Sequence, residues 1–277
     1  MRNIAKSFGV SLCLSAVAFV SVPAFAQLEL VGEVTQGSLI VGKTKPGSTV
    51  TIDKKVIPLS KNGDFAFGFG RDDKEPVAVN VTYPSGETVS KTLTPSVREY
   101  KIQRVEGIAK KIMNPNPKNV ERARKDSAQV KQARAISSEL TAFAGGFIAP
   151  IDGIVTGVYG SQRFYNGVPK TPHYGIDYAG NTGDPVKAPA DGTITMWVPD
   201  MFYSGGTMII DHGQGISSTF LHLSGSHVNV GDKVKQGQVV AKVGSTGRST
   251  GPHLDWRINW HNVRLDPALA LKLTPIK

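Results

Sequence analysis

The stretch His253-Leu254-Asp255-Trp256-Arg257-Ile258-Asn259-Trp260 alternates polar and apolar residues without a break. A strand's period of two puts His253, Asp255, Arg257 and Asn259 on one face and Leu254, Trp256, Ile258 and Trp260 on the other. One face is built for a core and the other for a polar groove. The surroundings agree: from about Gly146 the chain is rich in Gly, Val, Ile and Thr with closely spaced turns, and no helical period appears until the tail "DPALALKL". Further strands are expected over 193–198, 207–211, 218–223 and 239–243. The fold class is all-β, with an antiparallel β domain over 146–277.

Residues 27–99 read as short strands separated by the turn signals "KPGS", "KNGD" and "YPSGE". This predicts a small, immunoglobulin-like β-sandwich serving as an accessory domain. It carries no His, Cys or clustered acidic chemistry, so a packing or spacer role is expected, with adhesion to a wall polymer or partner as the alternative. Residues 100–145 differ in kind. Over 101–145 ten Lys/Arg face four Asp/Glu, and Asn116-Pro117 offers an N-cap and first helical position for a helix to about Phe143. Val120, Ala123, Val130, Ala133 and Leu140 give it a thin apolar stripe. This is a basic, largely helical connector, packed lightly on the next domain or touching an anionic polymer.

Arg2 and Lys6 precede the apolar run 8–22, and Ala24-Phe25-Ala26 offers a small-x-small cleavage site. Residues 1–26 are expected to be a secretory signal peptide, leaving no transmembrane segment and an exported protein of the periplasm or cell envelope. The only cysteine, Cys13, lies inside that run. The formal charge of +10 favours anionic envelope polymers as partners, and export argues against nucleic acid.

All six histidines lie at or beyond residue 173, and five of them fall between His212 and His261. His173 and Asp177, in "HYGID", are separated by a glycine expected to let the backbone turn, and an imidazole with a carboxylate suits a borderline metal such as zinc. His253 and Asp255 stand side by side on their strand. His222, in "STFLHLS", is expected on the same face as Phe220, as a general acid or base or as a satisfied core histidine. The glycine-rich "GSTGRSTGP" lacks the Lys-Ser/Thr ending of a nucleotide-binding loop.

The succession "HYGIDYA", "VKAPADGTI", "MIIDHGQGISSTFLHLS" and "VGDKVKQGQVVAKVGSTGRSTGPHLDW" resembles the lysostaphin-type (LytM-domain) zinc metallopeptidases that cut peptidoglycan peptides. The resemblance runs in order from about Phe147 to Pro267. It implies Zn²⁺ ligation by His173 and Asp177, catalytic assistance by His222 and His253, and a third ligand at position 255. The family has histidine there and this chain has Asp255. An Asp oxygen reaches as far from Cβ as an imidazole Nδ1 does, so Asp255 takes the place of the third ligand if the family's histidine binds through Nδ1, and is too short if it binds through Nε2. Two carboxylates and one imidazole would formally cancel the charge of Zn²⁺, weakening its pull on a carbonyl or water. Arg163 and Asn166, in "SQRFYNG", are candidates for contacting substrate, with turn structure as the alternative. His227 and His261 have no spacing that argues for ligation.

The expected function is therefore zinc-dependent hydrolysis of peptidoglycan peptides. The alternative is a catalytically degenerate relative that binds peptidoglycan or activates a separate wall-remodelling amidase. A more distant likeness, of "VKAPADGTITM" and "VGDKVKQGQVVAKVG" to biotinyl and lipoyl carrier hairpins, lacks the Met-Lys pair such carriers present.

Overall fold

The structure, a computed structural model, describes residues 28–107 and 116–276; the expected signal peptide lies outside them. In the N-terminal unit one antiparallel sheet runs Leu28–Val31, Leu39–Thr44, Asp64–Gly68 and the other runs Lys55–Ile57, Thr49–Ile52, Val77–Thr82, Thr88–Leu93. Ile40, Val50, Phe65, Phe67, Val79 and Val81 fill the space between them. The three turn signals hold Gly47, Gly63 and Gly86 at φ of 80°, 87° and 88°, a left-handed backbone that glycine adopts without strain.

The Leu39–Thr44 strand is apolar on both faces because both are covered. Ile40 faces the sandwich core, while Leu39 and Val41 join the core of the C-terminal unit. Gly68 permits this contact, since a Cβ there would meet a Leu265 methyl at 2.5 Å. Arg98 Nη1 donates to Asp266 Oδ2 at 2.8 Å, and Gln214 Nε2 to the Asp64 carbonyl at 3.1 Å. The two units thus pack directly on one another, with Leu39, Val41 and Ala66 of the first in the core of the second.

The C-terminal unit is built on an eight-stranded sheet ordered Lys233–Val234, Gly192–Met201, Gly205–Gly213, Ile216–Leu223, His253–Trp260, Ile176–Ala179, Val155–Gly157, with Val263–Leu265 pairing on His253–Trp260. Its inner face carries Ile194, Met208, Ile210, Phe220, Trp256 and Ile258. The outer face carries cross-strand rows set by register: Thr207, Leu221, Asp255 and Asp177, then Ile209, Thr219 and Arg257.

Two features of the connector differ from the sequence reading. The helix starts as expected, with Asn116 Oδ1 accepting from Lys118 N at 2.9 Å, but spans Pro117–Ala135 and stops short of residue 143. The following segment is held elsewhere: the Ser138 carbonyl accepts from Gln214 N at 2.9 Å, and Phe143 is fully buried in the C-terminal core. Burying that ring outweighs another turn of weakly amphipathic helix. Ile102–Val105 is a strand, parallel to Gln162–Tyr165, so the connector also extends a sheet of the C-terminal unit. Among the described residues no helix is long and apolar enough to cross a membrane.

His212 is a core histidine. Its Nδ1 lies 2.7 Å from the Asp191 carbonyl and its Nε2 2.9 Å from Ser218 Oγ, and Ser218 Oγ accepts from Trp256 Nε1 at 3.2 Å. A carbonyl only accepts, so Nδ1 carries the proton and Nε2 accepts from the hydroxyl: the neutral ring is fully satisfied. Burial holds His212 below the ordinary histidine value, outweighing its bond to Asp191 and the nearby carboxylates. The unfolded chain therefore binds the extra proton first, and stability falls as pH drops below about 6.5 until the lowered native value is passed. Burial also lowers His222 and His261, so the diagnostic is a contrast. Urea midpoints between pH 5 and 7 should change less in His212→Gln than in the natural chain, and equal slopes would remove His212 from this account.

Candidate metal centre

Asp177 and Asp255 sit directly opposite each other in antiparallel register, so their carboxylates project from the same face. Like charges so placed repel and destabilise a sheet unless cations lie between them. One cation is Arg257, two residues along the strand. Its Nε donates to Asp255 Oδ1 at 2.9 Å and Oδ2 at 3.2 Å, and its Nη2 to Oδ2 at 2.5 Å. Burial would raise the Asp255 pKa, but the charge and hydrogen bonds of Arg257 outweigh it and hold the carboxyl below the usual range. Asp255 is ionised although only 3 % exposed.

His173 precedes the Ile176–Ala179 strand and is fixed by its backbone, with N donating to the Ser161 carbonyl and O accepting from Gly160 N, both at 2.8 Å. Its Nε2 lies 3.2 Å from Asp177 Oδ1, yet both atoms are buried and neither has a hydrogen-bond partner. Two glycines make room for the carboxylates. A Cβ on Gly157 would stand 2.1 Å from Asp177 Oδ2, and one on Gly175 would stand 2.3 Å from Asp255 Oδ1. Gly175 was expected to supply a turn. It lies outside the positive-φ glycines, and what it supplies is the space that lets Asp255 and Arg257 pass beneath the chain.

These residues fit a divalent cation. Ligand atoms of His173, Asp177 and Asp255 all lie within 4.8 Å of one another. The 3.2 Å between His173 Nε2 and Asp177 Oδ1 matches the edge of about 3.3 Å that tetrahedral zinc with bonds near 2.0–2.1 Å requires. Asp255 Oδ1 accepts one bond from Arg257 and keeps a second lone pair, whereas Oδ2 accepts from both Nε and Nη2. Arg257 also corrects the charge arithmetic of the sequence reading. Two carboxylates and one guanidinium sum to −1, the charge of one carboxylate with two neutral imidazoles, so the clamped Asp255 leaves a bound Zn²⁺ as cationic as the family's set does.

His222 reaches this face by a β-bulge. Gly206 pairs with Leu223 and Met208 with Phe220, leaving Leu221 and His222 together opposite Thr207. His222 takes φ 63°, a left-handed backbone that histidine tolerates better than most residues. Phe220 and Leu223 both enter the core, so His222 does not share a face with Phe220 as strict alternation predicted. Its ring lies 4.7 Å from that of His253 between centroids. Its Nδ1 is 2.8 Å from the Thr246 carbonyl, and that of His253 is 2.8 Å from the Gly251 carbonyl. Both neutral rings therefore carry the proton on Nδ1 and leave Nε2 as the basic nitrogen. Burial, and after it the charges of His253 and Arg257, holds His222 below its ordinary value against the opposing pull of Thr246 and Asp255.

Arg163 and Asn166 lie on the hairpin Gln162–Tyr165/Val168–Pro169. Arg163 Nε donates to Gln103 Oε1 at 3.1 Å, and Asn166 and Gly167 form its turn at φ 49° and 76°. His261 packs near Trp260, and His227 N donates to the Val240 carbonyl; neither belongs to the ligand group found among the described residues. Sequence reasoning put Arg257 on the polar face and gave it no role. Its spacing of two from Asp255 on an alternating strand was the available signal.

Fold and site together define an antiparallel β-sheet scaffold with a candidate metal centre on its outer face. Residues 171–267 match the profile of peptidase family M23. It is 41% identical over 103 residues to the DD-carboxypeptidase/endopeptidase Mpg of Neisseria meningitidis, covering 37% of this chain and 24% of that protein. It is 40% identical over 101 residues to the peptidoglycan DD-endopeptidase ShyA of Vibrio cholerae, covering 36% and 23%. The chain thus spans about a quarter of the length of these relatives. A putative peptidase M23 from Pseudomonas aeruginosa aligns in structure over 86% of this chain and 95% of its own, with a TM-score of 0.66 and 25% identity. That similarity extends beyond the segment the profile covers.

Proposed function

We propose that the chain is an exported, zinc-dependent endopeptidase that hydrolyses peptide stems or cross-links of peptidoglycan, with His173, Asp177 and Asp255 holding the metal. The observation that carries this reading is the pair of carboxylates set opposite each other beside two buried, partnerless ligand atoms, His173 Nε2 and Asp177 Oδ1. When bound, zinc supplies a Lewis acid and a site for the attacking water. His222 and His253 present Nε2 toward the same face, one to take the proton and the other to hold or return it at the leaving nitrogen. The hairpin bearing Arg163 and Asn166 is tied to His173 through Ser161 and would border the entering peptide.

The bidentate grip of Arg257 on Asp255 favours a second reading: a metal-free factor that binds the wall or a wall-remodelling amidase. One experiment separates them. Purified protein incubated with peptidoglycan should release shorter muropeptides, whose identity names the bond, and EDTA should stop the release. Binding to the wall without cleavage, in protein that takes up no zinc, would overturn the enzyme in favour of the factor.

A further inference from the structure

The helix Pro117–Ala135 covers part of the outer sheet face next to the candidate metal centre. Val130 and Ala133 pack with Met196, Met201 and Ile209, Arg122 donates to Asp200, and Asp126 accepts from Phe202 N at 2.7 Å. In the helix's last turn Arg134 inserts toward the sheet and is 6 % exposed. Its Nη2 donates to Thr219 Oγ1 at 3.0 Å, and its Nε is buried without a partner. A cavity of about 280 Å³ remains between helix and sheet, lined by Arg134, Arg257, Arg264, Lys131, Leu221 and Tyr203 among others.

The charge in this cavity is unbalanced. Arg257 is matched by Asp255, but Arg264 Nη1 donates to the neutral Asn259 Oδ1 at 2.8 Å and Arg134 reaches only a hydroxyl. Asp126, the acidic residue in the lining, is two helical turns from Arg134 and engaged by Phe202. Burial, then Arg264 and Arg257, presses Arg134 down to about 8, and burial with Arg257 presses Arg264 down to about 10. Both stay cationic at neutral pH. Buried guanidinium groups are normally paired with anions, and a planar fork with a free Nε–H is suited to a carboxylate.

We infer that this cavity is a subsite for a carboxylate of the peptide substrate. The inference rests on the endopeptidase reading, because the cavity adjoins its centre: Arg257 lines the cavity and clamps Asp255, and Leu221 pairs with Asp255. Two residues along a strand span about 7 Å, and an extended peptide covers about 3.3–3.6 Å per residue. The bound carboxylate therefore lies about two residues from the bond brought to the metal. The apolar lining of Leu221 and Tyr203 suits the side chain that accompanies it better than it suits a bare inorganic ion.

Binding to the full chain, stripped with EDTA so that no turnover intervenes, tests this by calorimetry. The probes are N-acetyl-D-alanyl-D-alanine, its C-terminal amide, and inorganic phosphate. The free acid is expected to bind about tenfold or more tightly than the amide, the difference one charge-assisted fork supplies, and more tightly than phosphate. Arg134→Gln should erase the difference between acid and amide. Lys131→Glu, on the exposed rim, should weaken the acid alone. Equal binding of acid and amide, or folded variants that bind as the natural chain does, would overturn the subsite; phosphate binding as tightly as the acid would make it a site for inorganic anions. Loss of cleavage with the acid preference intact would instead sink the endopeptidase reading and leave the pocket standing.

Discussion

Asp255→His, the substitution that would restore the family's usual third ligand, is expected to lower stability by about 3–5 kcal/mol and to gain no zinc. Arg257 is half-buried and donates to both Asp255 oxygens. An imidazole gives it no anion, so a guanidinium would be left uncompensated beside the place meant for a cation. The new ring would also press on Gly175, already in contact with Asp255. Removing the charge as well should reverse the loss: Asp255→His/Arg257→Met should regain most of the stability and bind zinc. Arg257→Met alone should weaken the protein, because it strands the carboxylate instead. Urea unfolding and metal analysis of the four proteins form a cycle whose coupling energy measures the pair. Asp255→His that is as stable as the natural chain and richer in zinc would show that Asp255 and Arg257 do not act as a unit.

That outcome depends on a side chain the sequence placed correctly and left without a task. Alternation along His253–Trp260 was enough to separate Leu254, Trp256 and Ile258 from the groove residues, because burial of one sheet face forces period two. The turn glycines at 47, 63 and 86 were legible because left-handed backbone selects glycine. The pairing of Asp177 with Asp255 was not, since register between strands far apart in sequence is set by tertiary packing. His222 was misplaced because a bulge inserts a residue without any marker in composition. The early end of the helix was hidden for a similar reason: the helix was expected to run to about Phe143, but the core of the C-terminal unit takes that ring. Arg134 looked like one more charge on a solvated connector, and its insertion depends on the neighbouring sheet.

His222→Asn and His253→Gln should each lower kcat/KM for peptidoglycan peptides by about 10²–10⁴-fold, the usual contribution of a positioned proton-transfer group, while leaving zinc content unchanged. The separation follows from where each ring is anchored. Both are fixed through Nδ1 to backbone carbonyls of the 246–251 loop, at Thr246 and Gly251, and neither is among the residues gathered as ligands. Asparagine is chosen at 222 because the left-handed backbone there, φ 63°, must survive for the bulge to keep its shape. With the bulge kept, Leu223 stays in the core and the thermal midpoint should move little. His173→Ala and Asp177→Ala provide the contrast: both should lose the metal and the activity together. Retained activity in His222→Asn and His253→Gln would take proton transfer away from these histidines. Loss of zinc in either would instead make it a ligand, leaving a centre different from the His173, Asp177 and Asp255 set.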